Sequence, residues 1–222
     1  MDFIFMLTRH DRTVEDCLEV LELIRPVGLR HMGFKDVGVD AATLKRLHDG
    51  IKATGATSYL EIVSTSREAA IESARVAAKL GVDCVLGGTD VAAILDALKG
   101  TGAGYHPFPG RPVGHPTKLG GQPAEVEAHC RAFMDAGCAG CDLLAYRATE
   151  ADPIALVRAA RQGLGKARLI VAGSVDSPTR IRALADAGAD AFTIGSAAFD
   201  GSFAPNLGAL TSQLRVILAA CR

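Results

Sequence analysis

Apolar and polar positions follow one repeating unit along the chain: a short apolar run, then a longer segment with helical periodicity. This alternation predicts strands joined by helices in right-handed crossovers, which form a parallel sheet. Eight such units in 222 residues predict an α/β fold of the closed (β/α)8 or TIM-barrel type, as a single domain over residues 1–222. An open doubly wound sheet is the alternative.

The predicted strands are 3–9, 29–37, 57–64, 82–87, 104–108, 141–147, 168–172 and 191–194. The predicted helices are 14–26, 41–54, 66–80, 91–99, 123–136, 153–163, 177–187 and 206–221. Four helices begin beside a side chain suited to an N-cap, namely Ser66, Asp90, Asp152 and Ser177. Proline takes the first helical position after two of them, as Pro153 and Pro178.

One connection is long: residues 109–122, PGRPVGHPTKLGGQ, after the fifth predicted strand. Its glycines and prolines predict an irregular segment, and loops of this length in compact domains are often functional. It leaves the C-terminal end of a strand, where barrel active sites lie. We therefore expect a mobile lid or wall over the barrel mouth that carries Arg111, His115 and Lys118.

The charge balance argues against polyanionic partners. Lys and Arg number 24 and Asp and Glu 25, a net charge of −1, which favours neither nucleic acid nor an anionic membrane as partner. No apolar run has the length of a membrane span. The start of the chain has neither the basic residues nor the cleavage site of a signal peptide, so a cytoplasmic protein is expected.

Cys138 and Cys141 form a C-x-x-C, a spacing that can indicate redox or metal chemistry. No second C-x-x-C or H-x-x-x-H supplies further ligands. The pair precedes the sixth predicted strand, at the N-terminal face of the barrel, where residues serve stability. We therefore predict that both thiols are packing residues.

The segment 169–199, LIVAGSVDSPTRIRALADAGADAFTIGSAAF, indicates a phosphate site. Strand seven ends in Gly173-Ser174 and strand eight in Gly195-Ser196. Glycine allows a backbone amide to approach an anion closely, and serine adds a hydroxyl donor. Barrels often bind phosphate with the loops after these two strands and a short helix that follows. We predict that these four residues bind phosphate.

This segment resembles the ribulose-phosphate-binding barrel superfamily, which includes histidine- and tryptophan-pathway barrels, hexulose-phosphate synthase and sugar-phosphate epimerases. The resemblance implies the barrel fold and a phosphate ligand, and it covers about 30 residues closely, with only the architecture shared elsewhere. The catalytic half departs from the pattern. The D-x-K-x-x-D of hexulose-phosphate synthases is missing from strand three, and His31 alone partly matches the metal ligands of the pentulose-phosphate epimerases.

Two charged residues are expected inside the barrel. In strand two, RHMGFKDVG, Met32 and Phe34 should face the helices, which directs Lys35 inward at the C-terminal end. In strand three, the same alternation directs Glu61 inward beside it. A buried lysine here serves as an imine nucleophile, a proton carrier or a clamp on an oxyanion, and Glu61 completes an acid/base couple. A structural ion pair is the alternative.

Further polar residues are expected at the same face. His106, in strand five, is the histidine best placed for proton transfer. Arg9 at the end of strand one and Arg147 at the end of strand six are predicted to bind the substrate or its phosphate. No cofactor is predicted, and a divalent metal held by Glu61, His106 and Asp142 stays an open alternative.

These predictions converge on an enzyme whose partner is a small phosphorylated sugar or related phosphometabolite. The reaction expected is that of a lyase, of aldolase or decarboxylase type, or of an isomerase or epimerase, through an enediolate or an imine. A non-catalytic regulatory barrel that binds a phosphometabolite is the alternative. Because closed symmetric pairs are the commonest soluble oligomers, a homodimer is expected.

Overall fold

The computed structural model describes residues 1–64, 66–114 and 116–221, and within them eight parallel strands form one sheet. The strands are β1 (Asp2–Met6), β2 (His31–Lys35), β3 (Thr57–Ile62), β4 (Cys84–Gly87), β5 (Gly104–His106), β6 (Gly140–Leu143), β7 (Arg168–Val171) and β8 (Ala191–Ile194). Their order in the sheet is β6-β7-β8-β1-β2-β3-β4-β5. Each strand thus lies beside its neighbour in sequence, and β8 pairs with β1.

The sheet closes between β5 and β6. The N–H of Ala139 donates to the carbonyl oxygen of Tyr105 over 2.9 Å, and the N–H of Asp142 donates to that of Pro107 over 3.0 Å. These two bonds join the last strand in the sheet order to the first. The predicted (β/α)8 barrel is therefore confirmed.

Helices connect the strands on the outside of the barrel. They are α1 (Cys17–Ile24), α2 (Ala41–Ala53), α3 (Arg67–Leu80), α4 (Val91–Ala97), α5 (Pro123–Asp135), α6 (Pro153–Leu164), α7 (Pro178–Asp186), α8 (Ser196–Phe199) and α9 (Leu210–Ala220). The four predicted N-caps each accept a hydrogen bond from the backbone three residues on. Among the described residues, no helix has both the length and the apolar character needed to cross a bilayer.

Strand alternation separates two apolar layers. The outer layer joins strands to helices and contains Met32 and Phe34, packed with helix residues such as Leu47. A smaller cluster fills the barrel interior: Ile4, Met6, Tyr59, Leu86, Ile170 and Ala191. Met32 and Phe34 thus face the helices as expected, and Lys35 is buried on the other side of its strand.

The first strand is shorter than predicted. It ends at Met6, and Thr8–Arg9 pairs with Arg12–Thr13 in what we call the N-terminal hairpin. Its two connecting residues, His10 and Asp11, have φ of 50° and 58°. Two positive φ values at a two-residue connection are the type I′ arrangement, which matches the twist of the flanking strands.

Other differences from the prediction lie near the candidate site, while most remaining boundaries shift by a few residues. The sixth strand ends at Leu143, and the expected strand end is a 3-10 turn at Ala145–Arg147. The connection predicted as irregular contains the β5 hairpin, in which Arg111–Val113 pairs antiparallel with Lys118–Gly120. His115 lies outside the described residues.

Candidate functional site

A cavity of about 270 Å³ lies at the C-terminal ends of the strands. Its wall combines the N-terminal hairpin, the ends of β2 and β3, and the segments after β6, β7 and β8. The lining includes Asp11, Lys35, Glu61, Arg147, Gly173, Ser174, Gly195 and Ser196. The predicted phosphate loops and the predicted Lys–Glu pair therefore share one cavity, and Arg147 lies with them.

The loop after β7 adopts a backbone that few residues tolerate. Gly173 and Ser174 have φ of 76° and 57°, and the latter value is strained for a residue with a Cβ. A Cβ at Gly173 would lie 2.5 Å from Nε of Arg147, so only glycine allows the guanidinium to lie over this loop. Arg180 braces the loop, because its Nη1 donates to the Ser174 carbonyl oxygen over 2.6 Å and pairs with Asp176 over 2.7 Å.

The segment after β8 packs tightly against the N-terminal hairpin. A Cβ at Gly195 would lie 2.6 Å from the carbonyl oxygen of Thr8 and 2.7 Å from its hydroxyl. The Ser196 hydroxyl accepts a hydrogen bond from the His10 N–H over 3.3 Å. Any side chain at position 195 would therefore push the hairpin away from the cavity.

Several amides around this cavity have no partner. Within the part of the chain that the structure describes, the N–H groups of Gly173, Ser174, Ser196 and Ala197 donate no hydrogen bond. All four residues line the cavity. Unpaired N–H groups that converge on a cavity form a site suited to an anion.

Lys35 lies between two carboxylates and is 4% exposed. Its Nζ donates to Oδ1 of Asp11 over 2.9 Å and is 3.3 Å from Oε1 of Glu61. Burial opposes protonation of the amine, but the two carboxylates outweigh it, so the pKa of Lys35 is raised. Thr13 fixes the backbone here, because its hydroxyl donates to the Lys35 carbonyl oxygen and accepts from the Lys35 N–H.

Asp11 is the site residue that the sequence did not reveal. Its carboxylate accepts from both terminal nitrogens of Arg147 at 3.1 Å, in addition to Lys35. Burial opposes ionisation, but the hydrogen bonds from Arg147 and Lys35 outweigh it and lower the pKa of Asp11. A signal existed in the segment RHDRT, because Asp is one of the few non-glycine residues that occupy left-handed turn positions.

The two arginines predicted at this face have different positions. Arg147 lines the cavity and, besides Asp11, contacts the carbonyl oxygen of Thr117 over 3.3 Å. Arg9 lies outside the cavity on the N-terminal hairpin, half exposed and paired with Asp200 over 2.5 Å. Asp200 lines the cavity, so Arg9 contacts a residue of the cavity wall without lining the cavity itself.

The structure does not bring His106 into this cluster. The His106 ring is buried with neither nitrogen bonded to a described residue, and it does not line the cavity. Burial, and then the charge of Arg168 at the start of β7, lower the pKa of His106 to about 4. The imidazole is therefore neutral at ordinary pH and lies toward the N-terminal end of the barrel.

Asp142 extends the cluster below the cavity. It is fully buried, and neither carboxylate oxygen has a hydrogen-bond partner among the described residues. Burial, and then the charge of Glu61, raise the pKa of Asp142 well above its usual value, while Lys35 lowers it less. Glu61, His106 and Asp142 do not form a metal-ligating group, and no group of three such ligands occurs in the described ranges.

Cys138 and Cys141 are buried free thiols. The nearest thiol contact of Cys141 is with Cys130 of α5, over 3.8 Å between sulfur atoms. Burial raises the pKa of the Cys138 thiol to about 11, so it is not ionised at neutral pH. These positions fit the packing role predicted from the sequence.

No protein-family model and no curated protein matches the chain. Solved structures match over its whole length. One described as native KDPGal has a TM-score of 0.70 at 15% identity and covers 99% of this chain and 94% of its own. Orotidine 5'-phosphate decarboxylase from Pyrococcus horikoshii OT3 has a TM-score of 0.68 at 11% identity, with 99% of both chains covered.

A 3-hexulose-6-phosphate synthase has a TM-score of 0.67 at 19% identity, with 100% of both chains covered. At these identities the likeness establishes the fold alone. The likeness therefore confirms the (β/α)8 architecture that the 169–199 motif implies.

Proposed function

We propose that the chain is an enzyme that acts on a small phosphorylated sugar or a related phosphometabolite. The observation that carries this proposal is the single cavity lined by both phosphate loops and by the Lys35–Glu61 pair. The neighbours named for phosphorylated compounds, a decarboxylase and a hexulose-phosphate synthase, support the same substrate class by analogy of fold.

In this proposal the phosphate binds to the amides of the loops after β7 and β8, with Arg147 beside them over the β7 loop. The anchored substrate then extends toward Lys35 and Glu61. A phosphate fixed in this way holds the reacting carbon in place and lowers the entropic cost of reaction.

In the proposed reaction, Lys35 and Glu61 convert the bound substrate to an enediolate. Glu61 takes a proton from the carbon next to a carbonyl group, and the electron pair of that C–H bond moves to the carbonyl oxygen. The ammonium of Lys35 stabilises the oxyanion that results. An isomerase, an epimerase and an aldolase-type lyase use such an intermediate, and a decarboxylase-type lyase forms the related carbanion when CO2 leaves and the electron pair of the broken C–C bond stays on the substrate.

The surroundings of Lys35 favour this electrostatic role over an imine. An imine requires a neutral amine, whereas the carboxylates of Asp11 and Glu61 stabilise the ammonium form. Borohydride should therefore trap no adduct at Lys35 in the presence of a sugar phosphate that binds.

The direct test is solvent deuterium exchange at the carbon next to the carbonyl, followed by NMR over a panel of aldose and ketose phosphates. Lys35→Met should lower the exchange rate about 10²–10³-fold, the usual loss for one oxyanion contact. Lys35→Arg should not restore it, because a planar guanidinium does not replace a point charge. The exposed Lys99→Met is the matched control. Near-wild-type exchange in Lys35→Met would make the Lys35–Glu61 pair structural.

Phosphate binding is tested separately by titration of inorganic phosphate. Gly195→Ala should weaken binding at least tenfold, because the added methyl displaces Thr8 and the hairpin that borders the cavity. Gly208→Ala, at an exposed glycine with nothing within 4 Å, should leave binding unchanged. Tight binding of sugar phosphates with neither exchange nor turnover would favour the non-catalytic regulatory barrel.

A further inference from the structure

A second cavity, of about 670 Å³, opens at the same end of the barrel. It lies between the ends of β3 and β4, the first turns of α3 and α4, and the β5 hairpin. In the closed order of strands, β3 and β4 stand opposite β7 and β8. The second cavity therefore faces the phosphate loops across the barrel mouth.

Hydroxyl groups of Ser64, Ser66, Thr89 and Thr117 line part of this cavity, and apolar side chains line another part. The apolar side chains include Ile62, Val63, Val91, Phe108, Pro112 and Val113. Two charged side chains line it, Arg67 and Asp90, and they form an ion pair with each other. Among the described residues, the cavity thus offers no unpaired charge to an ionic ligand, and it favours an uncharged group. Val113 is 59% exposed, an apolar surface that such a ligand would cover.

The two cavities share their dividing wall. Glu61 lines the smaller cavity, and the residue that follows it, Ile62, lines the larger one. Arg147 lines the smaller cavity and donates to the carbonyl oxygen of Thr117, which lines the larger one. Because Glu61 and Ile62 point to opposite sides of β3, the Arg147–Thr117 contact marks the place where a ligand anchored at the phosphate loops would pass into the second cavity.

We propose that the substrate is a phosphomonoester with an uncharged far end, and that this end occupies the cavity between β3, β4 and the β5 hairpin. The inference rests on the proposed function for its phosphate anchor. The larger of the two cavities thus selects among phosphorylated substrates, and the smaller one holds the group they share.

The test compares methyl phosphate with 4-phenylbutyl phosphate, whose chain is long enough to cross the barrel mouth. The wild-type protein should bind 4-phenylbutyl phosphate at least tenfold more tightly, because its phenyl ring leaves water. Val91→Asp places a charge in the second cavity at the start of α4, where helix geometry accepts Asp. This variant should lose the preference and keep its affinity for methyl phosphate. Ala92→Asp, exposed on the same helix and outside the lining, should keep both.

Each other result has a separate meaning. Equal affinity of the wild type for the two esters, or a preference that survives in Val91→Asp, would overturn the inference and leave the phosphate proposal standing. If neither ester binds while the uncharged 4-phenylbutanol binds and is lost in Val91→Asp, the proposed function fails. The inference that one substrate occupies both cavities would then be wrong as well.

Discussion

Charge balance among individual side chains shapes the candidate site. Lys35 and Arg147 are matched by the carboxylates of Asp11 and Glu61, which the structure places within ion-pair distance. Asp142 is a fifth ionisable group below them and has no partner among the described residues. A carboxylate there would be an uncompensated buried charge, so the neutral acid is the favoured form.

The pKa of Asp142 predicts a pH-dependent effect on stability. Because the folded pKa is raised, the unfolded chain ionises first as pH rises above about 4, which favours unfolding. Asp142→Asn removes this effect. The variant should be more stable than the wild type at pH 7 by about 1–3 kcal/mol, the range for an unpaired buried polar group. The gain should shrink to less than about 1 kcal/mol near pH 4, where the acid is protonated in the folded protein and about half protonated in the unfolded chain.

Urea titrations at pH 7 and pH 4 measure this difference. Asp96→Asn, at an exposed position of α4, should change the free energy of unfolding little at either pH. A variant less stable than the wild type at pH 7 would mean that the Asp142 carboxylate is ionised and held by a favourable contact.

Single residues of the site were predictable where strand alternation governs them. Lys35 and Glu61 follow directly from the apolar residues beside them in β2 and β3. Asp11 was not predictable in this way, because a two-residue turn after β1 has no periodicity, and its carboxylate reaches Lys35 only through tertiary packing. His106 was expected near the site because it lies in the fifth strand, but the height of a residue in the barrel depends on the stagger between strands, which sequence does not give.

Short elements border the site. The N-terminal hairpin supplies Asp11, and the β5 hairpin forms one wall of the larger cavity. Their strands have only two or three residues each, too few for alternation to be recognised, and their glycines and prolines suggest irregular loops. The long helices and the eight barrel strands carry enough periodic positions to be predicted from sequence.

Arg111 ties one strand of the β5 hairpin to neighbouring elements. Its guanidinium pairs with Glu125 and, over 2.7 Å, with Glu150, and it is 52% exposed. Exposed ion pairs contribute little to global stability, about 0–1 kcal/mol. Arg111→Ala should therefore speed amide exchange in residues 111–113 and 118–120 while the free energy of unfolding changes by less than about 1 kcal/mol. Exchange measured by mass spectrometry tests this, with Arg131→Ala on α5 as control.

The same exchange measurement tests whether the β5 hairpin acts as a lid over the barrel mouth. A bound phosphomonoester that covers the second cavity should slow exchange in the β5 hairpin, since its Pro112 and Val113 line that cavity. Exchange that stays unchanged at saturating ligand would show that the hairpin is a fixed wall.

The whole molecule was the most predictable level, because a repeated strand–helix unit can bury its apolar faces in few ways. The reaction was the least predictable. Structures of the same fold include a decarboxylase and a hexulose-phosphate synthase at 11% and 19% identity, so the barrel accommodates different chemistry. A few side chains at the strand ends decide the reaction, and their positions depend on loops.

Self-association is also a property of the whole molecule. A homodimer stays a prediction from the frequency of closed symmetric pairs among soluble proteins. Sedimentation velocity at micromolar concentration should give a species of twice the chain mass of 23.1 kDa. A single species at the chain mass would contradict it.

The barrel closes through fewer contacts at one seam than elsewhere. Strands β1–β2 and β7–β8 pair over two residues each and the other neighbours over three to five, whereas β5 and β6 form no ladder in the described residues and are joined by two backbone hydrogen bonds. Because sub-global opening begins where the fewest hydrogen bonds must break, the seam should open at a lower free energy than the rest of the sheet. The amides of Ala139 and Asp142 should thus exchange faster than that of Leu7, which donates to Gly33 between β1 and β2. Native-state exchange by NMR in low urea compares the three amides within one molecule. Equal protection of the three amides would mean that the helices packed outside β5 and β6 stabilise this seam as much as strand pairing stabilises the other strand junctions.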